Sequence, residues 1–216
     1  MRTGIGCTVV AMIAATASAG DSSDLANSLE DFAAAQGANG WYYGYFDLES
    51  DPSEFIEMAF YGDLETAQKP LEDVWSAAET WNPTALVAQE WLRPNMSAGS
   101  RHDVARRWVS DMSGTVEISG EITMLLNNPL GDGVQASVVV DGIEVFTTIV
   151  GHGSGISSYN VLVNVDEGSE IDLRVSAREN HFSDAVIFNA RIDTIPAPAS
   201  VALLGLGGLA AARRRR

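Results

Sequence analysis

Between residues 115 and 192, apolar residues alternate with polar ones in six short runs that turn-forming residues separate. Successive side chains of a β-strand point to opposite faces, so this period of two predicts half-buried strands. Asp141-Gly142 lies between two runs and suits a tight hairpin, because both residues tolerate positive φ. The predicted inward-facing residues are Val116, Ile118, Ile122, Met124, Val134, Ala136, Val138, Val140, Ile143, Val145, Ile149, Ile171, Leu173, Val175, Val186, Phe188, Ala190 and Ile192. Strands at this spacing predict an all-β fold, an antiparallel β-sandwich.

The first half of the chain is less regular. Residues 24–36 carry Leu25, Leu29 and Phe32 at helical spacing and predict a short helix. Residues 39–46 and 54–61 are rich in aromatic side chains and predict strands. We therefore expect a helical or irregular lead-in over residues 20–39 and the β-sandwich domain over residues 40–194.

The N-terminus predicts a cleavable signal peptide over residues 1–19. Arg2 precedes an apolar run, and Ala17-Ser18-Ala19 forms a small-x-small pattern that signal peptidase accepts. An uncleaved N-terminal anchor is the alternative. The single cysteine, Cys7, lies in this segment, so the mature chain is expected to contain no disulfide, thiolate-bound metal or cysteine nucleophile.

The chain is strongly acidic, with a formal net charge of −16. All acidic residues lie between Asp21 and Asp193. A negatively charged surface repels nucleic-acid phosphates and anionic lipid headgroups, so we expect no nucleic-acid partner.

The C-terminus has three parts: a proline pair (Pro196 and Pro198), an apolar stretch over residues 199–212, and four arginines. As a helix the apolar stretch would be roughly 21 Å long, which is short for a ~30 Å hydrocarbon core. This length favours a transient membrane anchor over a permanent one. The basic cluster consists of Arg213, Arg214, Arg215 and Arg216.

This ending resembles the PEP-CTERM sorting signal, in which Val-Pro-Glu-Pro precedes a hydrophobic segment and a basic cluster. Here the motif reads Ile195-Pro196-Ala197-Pro198, with Ala197 in place of the glutamate. The resemblance implies an exported protein that an exosortase-type membrane transpeptidase processes, and that ends at the cell surface, in the outer envelope or outside the cell. A plain C-terminal membrane anchor is the alternative.

The aromatic residues are the first candidates for ligand binding. Residues 41–46 read Trp-Tyr-Tyr-Gly-Tyr-Phe, and aromatic rings at a surface can stack on the apolar face of a sugar. Core packing is the alternative, and it is favoured for Trp41, Tyr43 and Trp108. The more loop-like Tyr42, Trp81 and Trp91 are the candidate ligand-binding residues.

A second, more diffuse resemblance is to galactose-binding-like and carbohydrate-binding-module jelly rolls. It is carried by Gly40–Tyr45, Trp81-Asn82-Pro83, His102–Trp108, Gly114–Gly120, Gly131–Val134 and Asn180–Asp184. It implies a jelly-roll sandwich and a structural calcium bound by a carboxylate before the last strand. Asp184 occupies that position, and Asn180 and Asp132 are the other candidate ligands. Ca²⁺ takes six to eight oxygen ligands, which these acidic and amide side chains can supply in part. The alternative is that they form an ordinary solvated acidic surface without a metal ion, and the sequence leaves both interpretations open. We expect no other cofactor.

Four arginines lie within fifteen residues, and they favour either local charge balance against Asp103 and Asp111 or a small anion site for uronate or sulfate groups. They are Arg93, Arg101, Arg106 and Arg107. Arg93 and Arg101 join the candidate ligand-binding residues.

Signals for catalysis are weak. The three histidines (His102, His152 and His181) lack metal-binding spacing, and the stretch Gly151–Gly155 does not match the nucleophile motif GxSxG. We expect a non-catalytic exported protein that binds extracellular polysaccharide. The alternatives are a purely structural surface or biofilm component, and a glycoside hydrolase with two facing carboxylates.

Overall fold

The alternating sequence forms antiparallel strands that build two packed sheets. The computed structural model describes residues 24–66, 70–80, 84–126, 128 and 131–195. These residues belong to one unit that spans residues 23–195. The predicted signal peptide, the apolar and basic parts of the sorting segment, and Trp81 lie outside the described residues, so the structure does not test those predictions.

Most strands before residue 98 are short, those between residues 100 and 177 are longer, and the last two are short again. They are β1 (Asp24–Asn27), β2 (Trp41–Asp47), β3 (Phe55–Glu57), β4 (Phe60–Leu64), β5 (Leu71–Ser76), β6 (Leu86–Val87), β7 (Trp91–Arg93), β8 (Asn95–Ser97), β9 (Ser100–Val109), β10 (Gly114–Met124), β11 (Val134–Val140), β12 (Ile143–Val150), β13 (Ser157–Val165), β14 (Glu170–Ala177), β15 (Val186–Phe188) and β16 (Arg191–Thr194). A 3₁₀ turn covers Ala38–Gly40.

The strands are ordered in two antiparallel sheets. Sheet A runs β1-β16-β10-β15-β7-β6-β5-β4, and β13 pairs with the opposite edge of β10. Sheet B runs β12-β11-β14-β9-β2-β3, with β8 paired to β9. This arrangement confirms the predicted all-β antiparallel β-sandwich.

The core lies between the two sheets, where the predicted inward residues of β10, β11, β14 and β16 meet. Ile118, Val138, Leu173 and Ile192 are fully buried. Trp41, Tyr43 and Trp108 are also buried, which confirms their predicted core role. Tyr43 stacks on Trp75 with ring centroids 5.5 Å apart. Large aromatic side chains therefore fill much of the space between the sheets.

The predicted inward set of β12 is wrong at two of its three positions. Ile143 and Ile149 are 69% and 60% exposed, whereas Val145 packs against the core as predicted. Ile143 pairs with Val140 beside the Asp141-Gly142 turn, at the edge of sheet B. A β-bulge explains Ile149: Val138 pairs with Phe146 and Val139 with Glu144, so Val145 has no partner across the ladder. An extra residue shifts the alternation by one position. Phe146 and Val150 therefore face inward beyond the bulge, and Ile149 faces outward.

The helix predicted over residues 24–36 does not form. Asp24–Asn27 is strand β1, which pairs with β16, so the sandwich begins before residue 40. The backbone N–H of Ser28 continues this pairing by donating to the carbonyl of Ala190, and the Asn27 side chain then accepts from the N–H of Leu29 in a turn. Hydrogen bonds to a distant strand outweigh the weak local helix propensity. The last predicted strand is likewise divided into β15 and β16.

Neighbouring arginines on β9 point to opposite faces of sheet B. Arg106 is fully buried, and its guanidinium donates to the carbonyls of Ser28, Ala88 and Gln89. These bonds tie two loops to the core.

Among the described residues, no helix has the length and apolar character that crossing a membrane requires.

Candidate functional site

Three connections between strands meet at one end of the sandwich. They are residues 125–133 after β10, 151–156 after β12 and 178–185 after β14, and we call the described part of these segments the loop end. The Asn128 amide donates to the Ser183 hydroxyl at 2.8 Å, and the Arg178 guanidinium donates to the Asp132 carbonyl at 2.7 Å. A hydrogen bond of 2.9 Å joins His152 Nδ1 and the Leu126 carbonyl. The loop end is thus held together by contacts between segments far apart in sequence.

Asp184 is the most unusual residue of the loop end. It is fully buried, and neither of its carboxylate oxygens has a hydrogen-bond partner among the described residues. His152 Nε2 lies 4.0 Å from Asp184 Oδ1. Burial, and next the charge of Asp132, raise the pKa of Asp184 to about 7, whereas Arg93 and Arg178 act in the opposite direction. A carboxylate left in this state is costly, so the site favours an occupant that supplies positive charge or hydrogen-bond donors.

Asp132 contributes a second oxygen of the same kind. Its Oδ2 accepts a hydrogen bond of 2.6 Å from the Glu179 N–H, whereas its buried Oδ1 has no partner in the described part of the chain. Gly131 allows this close approach, because a Cβ at this position would clash with the His152 ring and the Phe182 carbonyl. The glycine is therefore needed for the loops to converge.

The third predicted calcium ligand, Asn180, is used within its own loop. Its Oδ1 accepts from the Phe182 N–H at 2.9 Å. The described residues hold no group of three or more His, Cys, Asp or Glu side chains that could bind a metal ion. Asp184 and Asp132 offer carboxylate oxygens suited to Ca²⁺, but further ligands would have to be carbonyls, amides or water. Calcium stays a prediction.

Each of the three loops also carries an exposed apolar side chain. Phe182 is 61% exposed, and its ring stacks on that of His181 with centroids 5.5 Å apart. Leu126 and Ile156, on the other two loops, are also exposed. Burial, followed by the charge of Arg93, lowers the pKa of His181, so this ring is neutral at pH 7. The loop end therefore combines an exposed aromatic platform with buried acceptors. Phe182 lies in the stretch Asn180–Asp184 used for the resemblance, but it was not predicted as a ligand contact.

The ligand-binding residues predicted from the sequence do not gather in one place. Tyr42 and Arg101 lie on β2 and β9 of sheet B, whereas Trp91 and Arg93 lie on β7 of sheet A. Tyr42 is half-buried, and Trp91 is half-buried against a small apolar cluster with Leu86. Arg93 is the member of this set that acts electrostatically on Asp184. The binding roles of these residues remain untested predictions.

The four neighbouring arginines do not form one anion site. Arg107 binds Asp172 through two hydrogen bonds of 2.7 and 2.9 Å and also pairs with Glu170, on the face of β9 opposite to Arg106. Asp103 pairs instead with Arg174 at 2.6 Å. Charge balance is therefore the observed role of Arg107, but with acids that come from β14. One sequence cannot reveal such cross-strand partners.

The described chain is thus an antiparallel β-sandwich with a candidate binding site among its loops. The PEP-CTERM protein-sorting motif matches residues 194–216, which confirms the predicted resemblance of the C-terminus. The chain therefore carries a C-terminal sorting signal. A search of curated proteins found no match to this sequence.

Solved structures similar to this chain include carbohydrate-binding modules, the class that the sequence resemblance predicted. A family 35 module from Clostridium thermocellum is 10% identical with a TM-score of 0.29, covering 52% of this chain and 78% of that one. A CBM36-1 domain of a xylanase from the Trinervitermes trinervoides hindgut metagenome is 14% identical with a TM-score of 0.31, covering 72% and 98%. CBM51-2 from Clostridium perfringens ZmpB is 11% identical with a TM-score of 0.35, covering 73% and 41%. Likenesses this distant assign neither a ligand nor a site.

Proposed function

We propose that this chain is an exported surface protein whose loop end binds extracellular polysaccharide without catalysis. The observation that carries the proposal is the Phe182 ring, which is 61% exposed and stacked on His181. It lies two residues before Asp184, whose buried carboxylate has no hydrogen-bond partner among the described residues. Exposed aromatic rings can stack on the C–H face of a sugar.

The buried carboxylates have a different role from the ring. Asp184 is too deeply buried to touch a polymer, so it acts beneath the binding surface. A calcium ion bound by the free oxygens of Asp184 and Asp132 would join the loops after β10 and β14 and hold Phe182 in place. This assignment is supported by the chemistry of the two carboxylates, since Ca²⁺ prefers carboxylate and carbonyl oxygens.

The same burial argues against glycoside hydrolysis at this site. Both carboxyl groups of a glycosidase must reach the scissile bond, one as an acid and the other as a base or nucleophile. The carboxyl of Asp184 has a pKa of about 7 but no exposed surface. We therefore assign the loop end to binding.

The sorting signal at residues 194–216 supports the cellular part of the proposal. Signal peptidase would remove residues 1–19, the apolar segment 199–212 would hold the chain in the membrane, and an exosortase-type transpeptidase would act near Pro196 and Pro198. The β-sandwich would then face the outside of the cell, where extracellular polysaccharide is available.

The test is binding of the purified full chain to a panel of acidic and neutral extracellular polysaccharides by affinity electrophoresis. Phe182→Ala is expected to weaken binding about tenfold, because stacking and lost apolar contact together contribute about 1–2 kcal/mol. The matched control is Phe60→Ala, which removes another exposed phenylalanine, on β4. Equal effects of the two substitutions would contradict the assignment of the site.

The panel is repeated with calcium and with a chelator. Loss of binding in the chelator would support calcium at Asp184, and binding that ignores the chelator would remove the metal from the proposal. If the wild-type chain binds no polysaccharide, the purely structural surface component becomes the better assignment.

A further inference from the structure

The described edges of the two sheets differ in their protection against pairing with another strand. Natural sheet edges are protected by short length, charged side chains, proline or β-bulges. Strands β3 and β8 contain three residues each. Strand β1 carries Asp24 and a register shift, and β4 carries Asp63 and another shift. Strand β12 carries Glu144 and the bulge at Val145. These edges each have at least one protective feature.

Strand β13 has none of these features. Its sequence, Ser157–Val165, contains nine residues with no charged side chain and no proline. It pairs with β10 over its full length without a register shift, and in the described chain β10 is its one ladder partner. Its other edge therefore presents a straight row of backbone N–H and C=O groups that can pair with a further strand.

The side chains of β13 leave this edge open. Asn160 donates to Glu117, and Asn164 accepts a hydrogen bond of 2.7 Å from the Thr115 hydroxyl, so both amides lean back toward β10. Leu162 lies on the same outer face and is 64% exposed. An unprotected edge strand is a template for pairing with another strand, and Leu162 adds apolar surface beside it.

Charge indicates what can bind there. The chain has a net charge of −16, so two copies repel each other over most of their surfaces. Strand β13 itself carries no charge, although Glu117 faces Leu162 from β10, so a second acidic copy meets fewer like charges here than at the edge strands that carry Asp or Glu. Identical strands can also pair antiparallel about a two-fold axis, which gives a closed, symmetric contact.

We propose that β13 is a homodimerisation edge, through which two copies of this chain pair antiparallel and extend sheet A across the dimer. Leu162 of each copy packs against the partner's outer face beside the new ladder. Sorting to a common membrane raises the local concentration of copies and so promotes the contact. The surface is independent of the loop end, so its test does not depend on polysaccharide binding.

The first experiment is sedimentation of the full chain in a mild detergent over a range of concentrations, together with hydrogen exchange of the β13 amides. The wild type is expected to form a dimer in which the outward-facing amides of β13 are protected. Leu162→Glu places like charges beside each other across the two-fold axis, and it is expected to raise the dimer dissociation constant at least tenfold and to abolish that protection. Leu162 faces Glu117 across the ladder with β10, so the new carboxylate is expected to lower the stability of the monomer by at most about 1 kcal/mol. Melting temperatures are therefore compared below the dimer dissociation constant, where dimerisation does not contribute.

The matched control is Leu126→Glu, which adds the same charge at a comparably exposed leucine in the loop end. This variant is expected to dimerise like the wild type. A wild-type monomer at all concentrations would overturn the proposal, as would a dimer that Leu162→Glu leaves intact. Protected β13 amides in a monomer would show that another part of the same chain covers the edge, and this result would also overturn it.

Discussion

Replacing Arg106 with methionine tests whether the buried guanidinium stabilises the sandwich. Methionine has a similar length but no charge and no donors. In the wild type, Arg106 is fully buried and donates to the carbonyls of Ser28, Ala88 and Gln89, with the Gln89 bond at 2.7 Å. The substitution leaves three acceptors in or near the core without these donors.

Two opposing terms determine the magnitude. An acceptor left unsatisfied in the interior costs about 1–3 kcal/mol, so the carbonyls of the buried Ser28 and Ala88 together cost about 4 kcal/mol, and the carbonyl of the exposed Gln89 adds about 1 kcal/mol. Burial lowers the pKa of Arg106 from 12.5 to about 10, and relieving that penalty returns about 3 kcal/mol at neutral pH. We therefore expect Arg106→Met to lower the free energy of unfolding by about 2 kcal/mol, which is about 4–8 °C in Tm for a domain of this size.

The assay is urea denaturation at pH 7, followed by tryptophan fluorescence, with Tm measured by calorimetry. The control is Arg101→Met on the same strand, because Arg101 is exposed and its side chain donates to the Met96 sulfur at the surface. The control is expected to leave the urea midpoint unchanged. If Arg106→Met proves as stable as the wild type or more stable, the desolvation penalty exceeds the value of the three hydrogen bonds, and the reasoning is refuted.

Two further predictions concern backbone space and pH. Gly120→Ala is expected to lower the free energy of unfolding by more than about 2 kcal/mol, because the new Cβ would clash with the Asn189 carbonyl. Gly142→Asn is expected to leave it nearly unchanged, because Gly142 has open space around it and a left-handed backbone conformation that asparagine tolerates. Equal unfolding midpoints for these two variants would contradict this view. Because the pKa of Asp184 is raised from 3.8 to about 7, the folded state binds the proton more tightly, and its stability falls as the pH rises from about 4 to about 7. We therefore measure the free energies of unfolding of the wild type and of Asp184→Asn in the presence of a chelator. The wild-type value minus the variant value is expected to fall by up to about 4 kcal/mol between about pH 4 and about pH 7. A difference that does not change with pH would exclude the raised pKa of Asp184.

The sequence by itself determined the fold class, because alternation of side chains is a local property of the extended backbone. The inward residues of β10, β11, β14 and β16 follow directly from it, as does the burial of Trp41 and Trp108. The C-terminal sorting signal was equally readable, since it consists of contiguous residues that need no folded partner to be recognised.

Tertiary structure alone decided where the alternation breaks. The bulge at Val145 turns Ile149 outward, and it depends on the register with β11, which is set by hydrogen bonds across the ladder. Similarly, β1 forms where local propensity favoured a helix, because its backbone groups find partners in β16, more than 160 residues away in the chain.

The candidate site also depends on long-range contacts. Asp132, His152 and Asp184 come from three different loops, and their sequence spacing carries no sign that they meet. Phe182 lies in an exposed loop, where no periodicity distinguishes a ligand contact from an ordinary surface residue. Arg106 and Arg107 are adjacent in sequence, yet one is buried among carbonyls and the other is paired with Asp172. Side-chain alternation sends them to opposite faces, but their partners come from loops and strands that only the folded chain brings together.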